Sequence, residues 1–296
     1  MPRNNHLNQS APHPERPYWL RKSLVLDDNI AWVNYNLDIL SLHTVCQEAM
    51  CPNQAECFKN RTAAFLIMGR VCTRNCAFCA IEHGRPDKID PLEPINVSMA
   101  VSIMGLKYAV ITSVTRDDLL DGGANHYAQT THEIRKRNPD TKVELLIPDF
   151  KGLIDPLRIV MGACPDVINH NLETVPSLYK SIRPKANYTR SLKLISHVKR
   201  INPNAVTKSG IMLGLGERQD EVFMLLDDLR QARCDILTIG QYLQPSPCHY
   251  PVKEYIHPEV FKFYEGEAKK RGFKAVASAP FVRSSYRACE LVKNVK

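Results

Sequence analysis

The sequence predicts an α/β fold, a parallel barrel left incomplete at six β/α repeats. Through the middle of the chain, short β-rich runs alternate with helix-length amphipathic segments, the pattern of a parallel sheet with right-handed crossovers. The alternation repeats six times rather than eight, which leaves one side of the barrel open. The 296 residues, 44% of them hydrophobic, suffice for a single domain of this size.

Taken in order, residues 1–17 are expected to be a flexible tail, because they are rich in Asn, Pro and His and poor in large apolar side chains. Residues 18–60 read as an N-terminal extension, 61–272 as the barrel and 273–296 as a C-terminal segment. Strands are expected near 63–69, 108–113, 142–147, 167–171, 205–213 and 235–240, and helices near 96–105, 123–137, 152–162, 188–200, 217–232 and 258–271. Barrel enzymes carry function on the loops after their strands. Those loops hold the cysteines 72–79, the Arg116-Asp117-Asp118 triplet and the Gly214-Leu215-Gly216-Glu217 stretch. Asp117 and Asp118 also read as a solvated loop. Glu217 is expected to open a helix, where its charge suits the dipole.

Six of the ten cysteines fall in two triplets, Cys46-x4-Cys51-x5-Cys57 and Cys72-x3-Cys76-x2-Cys79. A specified three-cysteine spacing arises about once in a hundred shuffled chains of this composition. Thiolates are soft ligands for iron–sulfur clusters and zinc, and the paired triplets point to two iron–sulfur clusters. Three ligands leave a tetrahedral site open, so the second triplet implies an iron free to bind substrate. A zinc-stabilised binding module is the competing reading, with His83 as the nearest fourth ligand. Cys164, Cys234, Cys248 and Cys289 read as core or surface residues, although Cys289 lies close enough to the C-terminal motifs to compete as a ligand.

No run approaches the roughly 18 apolar residues of a membrane span and no signal-peptide pattern opens the chain. A cytoplasmic location without membrane partners is expected. The formal charge of +8 suits long-range steering of an acidic partner. The basic run 180–199, with Arg183, Lys185, Arg190 and Lys193, is a candidate docking face. No basic stripe is interleaved with aromatics, so nucleic acid is not expected.

Residues 72–81, CTRNCAFCAI, resemble the signature of the radical S-adenosylmethionine (SAM) enzymes, with Phe78 as the aromatic before the third cysteine. The first triplet, with FKNRTAAFLIMG (58–69), SVTRDDLLDGGA (113–124), INHNLET (168–174) and RSSYRA (283–288), resembles the lipoyl synthase family over most of the chain. The resemblance implies a partial (β/α)6 barrel of the radical SAM type, with an N-terminal cluster-binding extension and a C-terminal tail. It implies that Cys72, Cys76 and Cys79 hold a [4Fe–4S] cluster that reductively cleaves SAM. It also implies a second, sacrificial [4Fe–4S] cluster on Cys46, Cys51, Cys57 and a serine, here Ser285, with Ser284 as the alternative. Phe78, Asn171, Glu173, Gly214 and Glu217 become SAM contacts by the same analogy.

The implied reaction inserts two sulfur atoms at C6 and C8 of an octanoyl chain on a carrier lysine, with an apolar tunnel between the clusters. The implied partners are the glycine-cleavage H protein or a lipoyl domain of a 2-oxoacid dehydrogenase, a flavodoxin or ferredoxin, and an iron–sulfur cluster carrier. A tRNA methylthiotransferase, which also carries two clusters, is the rival enzyme reading.

Overall fold

The computed structural model describes residues 15–23, 25–293 and 295. The tail expected over residues 1–17 therefore lies outside the described residues up to residue 14. Helix α1 (Asp28–Ile39) opens the extension, started by Asp27, whose carboxylate accepts the Asn29 N–H at 3.0 Å. Strand β1 (His43–Thr44), α2 (Val45–Glu48) and α3 (Gln54–Lys59) follow. The repeats then run β2 (Ala64–Ile67), α4 (Glu93–Ile103), β3 (Tyr108–Ser113), α5 (Ala124–Arg137), β4 (Lys142–Leu146), α6 (Ile154–Gly162) and β5 (Val167–Asn169). They continue through α7 (Tyr179–Ile182), α8 (Tyr188–Ile201), β6 (Val206–Leu213), α9 (Gln219–Gln231), β7 (Ile236–Gln241) and α10 (Pro258–Lys270). The described chain closes on β8 (Ala275–Ser278) and α11 (Ala288–Lys293).

All eight strands lie in one sheet in sequence order, with β2 to β8 parallel and β1 antiparallel to β2. The sheet is an open, barrel-type winding whose edges are β1 and β8. Each of the six expected strands is present, and one strand is added at each edge. Two physical reasons hid the additions. β1 is two residues long and exists through its pairing of His43 with Leu66. β8 reads Ala-Val-Ala-Ser, too short and too small in side chain to carry a β signal.

The period of two in the strands sorts their side chains. Ala109, Ile111, Val143, Leu145, Ile211, Leu213, Leu237 and Ile239 belong to the apolar core. The alternate positions Tyr108, Val110, Thr112, Leu146, Gly210, Met212, Thr238 and Gly240 line an interior cavity. Toward its floor the interior is polar. Lys208 and Glu144, both 0% exposed, pair at 2.9 and 3.1 Å. Glu144 also accepts from the Tyr108 hydroxyl at 2.6 Å and from Asn169 Nδ2 at 2.9 Å. Four strands are thus tied across the barrel by one carboxylate.

Removing one partner of such a buried pair leaves the other charge uncompensated, at a cost of about 3–5 kcal/mol. Lys208→Met is accordingly expected to lower the unfolding free energy from denaturant titration by that amount, and adding Glu144→Leu to recover most of the loss. A double variant no more stable than Lys208→Met would show that the pair does not act as a unit.

Candidate active site

The loop 72–79 follows β2 and is pinned from several sides. The Cys72 N–H donates to the Glu82 carbonyl at 2.8 Å, and the Gly84 N–H returns to the Cys72 carbonyl at 2.9 Å. Cys72 Sγ accepts the N–H groups of Thr115 at 3.3 Å and Arg74 at 3.4 Å. The Ala77 N–H reaches the Ile182 carbonyl, the Tyr250 N–H reaches the Ala77 carbonyl, and His249 Nε2 lies 3.1 Å from the Cys79 carbonyl. Phe78 packs against a small apolar group of Ile182, Leu215, Tyr242 and Val252.

Within this loop the buried Arg74 forks onto Asp117 at 2.7 and 2.9 Å and reaches Asp149 at 2.6 Å. Arg190 closes on the other oxygen of Asp149 at 2.8 Å. The solvated-loop reading of Asp117 is therefore corrected, because Asp117 anchors the cysteine loop. Asp118 is the solvated neighbour and pairs with Arg116 at 2.8 Å.

The first triplet sits where α2 and α3 meet the sheet edge. Cys46 lies in α2 and Cys57 in α3, with Cys51 in the turn between them. Burial, with added repulsion from Cys51 and Cys57, pushes the Cys46 thiol up to about 12. Burial and Cys51 push Cys57 up to about 11. In the second triplet burial raises Cys76, and it raises Cys79 to about 12. Two thiols of each triplet, Cys46 with Cys57 and Cys76 with Cys79, are therefore desolvated and ionise poorly until a positive centre compensates them, the donor chemistry of a thiolate-held cluster. Among the described residues no three His, Cys, Asp or Glu side chains form a group able to hold a single ion. Thiolates about 2.3 Å from one zinc crowd together, whereas a multi-atom cluster spreads its ligands over several irons.

Both triplets line one cavity of about 1160 Å³, above the roughly 300–1,000 Å³ of ordinary small-molecule pockets. The same walls carry Phe78, Asn171, Glu173, Arg183, Arg283, Ser284, Ser285 and Cys289. The C-terminal segment reaches this cavity by crossing the inner faces of β6 and β7. A Cβ at Gly240 would strike the Val282 carbonyl, and one at Gly210 would come within 2.7 Å of Ser284 Oγ. The strap therefore lies on two glycines. Ser284 Oγ is engaged, donating to Asn171 Oδ1 at 2.8 Å. No side-chain hydrogen bond of Ser285 is found among the described residues.

Asn171 and Glu173 lie just beyond the end of β5. Glu173 has φ +67, a left-handed conformation costly for a non-glycine residue. It is held there by the hydrogen bonds of its N–H to the Gly210 carbonyl (3.0 Å) and of the Met212 N–H to its own carbonyl (2.8 Å). Burial raises its carboxyl.

Gly214 and Glu217 stay outside the cavity lining. A Cβ at Gly214 would collide with the Gln241 side chain and the Glu254 carbonyl. Glu217 folds back to accept the N–H groups of Gly214 at 2.6 Å and Leu215 at 2.9 Å, and the helix begins two residues later. Both serve the local turn rather than the cavity.

Sequence reasoning missed Arg183. Its Nη1 donates to the carbonyls of Asn171 and Leu172 at 3.0 Å each and to the Tyr179 hydroxyl at 3.2 Å. Its buried Nε has no partner, and Glu173 and Cys76 are among the groups that hold its charge in place. The signal was present in the run 180–199, which the sequence suggested as a docking face. The run is divided: Lys180, Lys185 and Lys193 are exposed, whereas Arg183 is half-buried at the cavity, Arg190 pairs with Asp149 and Lys199 pairs with Asp235.

The family model of the radical SAM superfamily matches residues 66–229. The lipoyl synthase of Alkaliphilus metalliredigens is 53% identical over 278 residues, 94% of this chain and 96% of that protein. Those of Caldicellulosiruptor bescii and Burkholderia mallei are 53% and 51% identical, covering 95% and 93% of this chain and 98% and 84% of theirs. Among solved structures, methylornithine synthase superposes with a TM-score of 0.55 at 12% identity, over 84% of this chain and 77% of that one. Streptococcus suis SuiB bound to S-adenosylmethionine gives 0.58 at 12% identity, over 77% and 54%. These two likenesses are of fold.

Arg74→Ala, which strands Asp149 with Arg190 alone, is expected to cost about 3–5 kcal/mol in denaturant unfolding and to speed amide exchange across residues 72–79. Arg74→Lys is expected to restore only part of this, since a lysine cannot fork. Unchanged exchange in Arg74→Ala would show that the loop is held by its other contacts.

Proposed function

The chain belongs to the lipoyl synthase family of the radical SAM superfamily, and on that premise we propose how its residues divide the work. The enzyme inserts two sulfur atoms at C6 and C8 of an octanoyl chain carried on a protein lysine. It uses SAM and two [4Fe–4S] clusters. The family assignment replaces both the zinc-module reading and the tRNA methylthiotransferase reading.

Cys72, Cys76 and Cys79 are the proposed holders of the SAM-site cluster. Cys46, Cys51, Cys57 and Ser285 are the proposed holders of the auxiliary cluster. When bound, these groups supply SAM cleavage at the first site and sulfur at the second. The observation that carries the division is that both triplets and the strap bearing Ser285 wall one cavity. Ser285 is preferred to Ser284 because the Ser284 hydroxyl is already committed to Asn171.

The chain's own residues bind, orient and exclude water. Arg183, a half-buried cation whose buried Nε is unpartnered, beside Glu173 and Cys76, is suited to an anionic group in the cavity. Phe78 and Tyr242 give the loop an apolar backing, and the strap covers the inner faces of β6 and β7. Holding two reacting centres in one enclosed space is the main service a protein renders to such chemistry.

The partner is an octanoylated carrier protein. The glycine-cleavage H protein or a lipoyl domain, a flavodoxin or ferredoxin as reductant, and a cluster carrier for renewal complete the proposal. No helix among the described residues is long and apolar enough to cross a membrane. All ten cysteines are free, which supports a reducing compartment, and we place the enzyme in the cytoplasm.

Anaerobic incubation with SAM, reductant and an octanoyl-lysyl peptide is expected to give a product heavier by two sulfurs in the mass spectrum. A peptide recovered with its mass unchanged would refute the reading. Separately, Cys76→Ala is expected to abolish 5′-deoxyadenosine formation, while Cys51→Ala retains it and makes no lipoyl product. Loss of SAM cleavage in both folded variants would overturn the two-site division.

A further inference from the structure

The first cysteine triplet and the strap carrying Ser285 come from opposite ends of the chain, and the contacts joining them converge on Glu56, the residue before Cys57. Its Oε1 accepts from the Tyr286 hydroxyl at 2.5 Å and from the Arg287 guanidinium at 3.3 Å, and its Oε2 accepts from Lys22 Nζ at 2.9 Å. Lys22 also donates to Asn53 Oδ1 at 2.5 Å and stands over the rings of Phe281 and Tyr286, at 4.8 and 5.8 Å from their centroids. Asn53 Nδ2 donates to the Phe281 carbonyl at 2.7 Å. Asn53 and Glu56 both lie between Cys51 and Cys57. The residues they grip flank Ser285, with Phe281 four positions before it and Tyr286 one after.

The contacts are of the kind that hold a segment in place. Three donors meet one carboxylate, two of them cationic, so the bonds are charge-assisted and reinforce one another. They are also half-exposed. The side chains of Lys22 and Glu56 are 28% and 30% accessible, and that of Arg287 is 59% accessible. A surface network of this kind contributes little to global stability. What it fixes is the distance between the triplet and the strap. The glycine seats at 210 and 240 hold the strap up to Ser284. Beyond Ser284 the clasp on Tyr286 and Arg287 takes over. Ser285 lies between these two points of attachment and its hydroxyl is committed to neither.

We propose that Glu56 is a positioning residue for sulfur insertion, clasping Tyr286, Arg287 and Lys22 so that the strap keeps Ser285 at the auxiliary site. The strength of this clasp sets how readily the site gives up its iron. An oxygen ligand binds cluster iron less firmly than a thiolate, so a serine must be kept near by its surroundings. The clasp supplies that confinement from the triplet's own loop. Release of the strap and opening of the cluster then become one event. The inference rests on the assignment of Cys46, Cys51, Cys57 and Ser285 to the auxiliary cluster.

The test compares wild type, Glu56→Ala, Tyr286→Phe, the double variant and Ser285→Ala, each reconstituted anaerobically and exposed to a ferrous chelator. Companion proteins with one triplet replaced by alanine report each cluster alone. Glu56→Ala is expected to lose auxiliary-site iron about tenfold faster than wild type, with loss from the Cys72 site unchanged. Tyr286→Phe is expected to fall between, and the double variant to match Glu56→Ala, because both act through one contact. Amides of residues 281–287 in the cluster-free chain are expected to exchange faster in both single variants.

Iron loss at the wild-type rate in Glu56→Ala overturns the proposal, and so does equal acceleration at both sites, which marks general loosening. Ser285→Ala separates the inference from its premise. If it too keeps the wild-type rate, the ligand assignment has failed. If it accelerates loss while Glu56→Ala does not, only the clasp has.

Discussion

The site depends on two missing side chains. Gly210 and Gly240 occupy inward positions on the neighbouring strands β6 and β7; the Val282 carbonyl of the strap lies where a Cβ of Gly240 would be, and the Ser284 hydroxyl lies against Gly210. That contact joins a barrel built in the middle of the chain to a ligand motif at its end. It is also why Ser284 can reach Asn171, more than a hundred residues away in sequence. A methyl group at Gly240 would force the strap off the sheet, because a backbone carbonyl cannot yield as a side-chain tip can, whereas one at Gly210 would displace the Ser284, Thr238 and Asn171 side chains.

Around this contact the interior is organised by charge. Lys208 and Glu144 neutralise each other at the floor, and Arg74 with Asp117, Asp149 and Arg190 neutralises the base of the cysteine loop. Arg183 is different. Its hydrogen bonds go to carbonyls and a hydroxyl rather than to a carboxylate, and Glu173 supports its charge without a hydrogen bond to it. Part of the formal charge of +8 is therefore internal, which weakens the argument from net charge to long-range steering. A side chain buried among carbonyls does not project a field as a surface lysine does.

The repeating middle of the chain was legible because its signal is local. Strands such as β3 and β4 and helices such as α8 are set by periodicity, and their predicted ranges fall within a few residues of the observed ones. What escaped depends on contacts distant in sequence. β1 and β8 exist through their neighbours, and the role of Asp117 appears only when Arg74 is placed beside it. The run 180–199 read as a surface because its lysines and arginines are close in sequence, yet three of them point to carboxylates or carbonyls of other elements. The glycine-rich turn at 214–216 looked like a cofactor loop, but it answers to the Glu254 segment that crosses it.

The open sheet gives these observations a common cause. A closed eight-stranded barrel fills its interior with side chains and has no edge on which chain termini can lie. Here the sheet stops at β1 on one side and β8 on the other, and each edge strand leads directly into one half of the proposed auxiliary site. β1 runs into α2 with Cys46, and β8 runs into the strap with Ser285. The two halves meet across the gap between the unpaired edges β1 and β8, with α11 packed against both β8 and β3. Incomplete closure thus does two things at once. It leaves the interior hollow enough for a cavity, and it brings the two ends of the chain within hydrogen-bonding distance of each other at the rim.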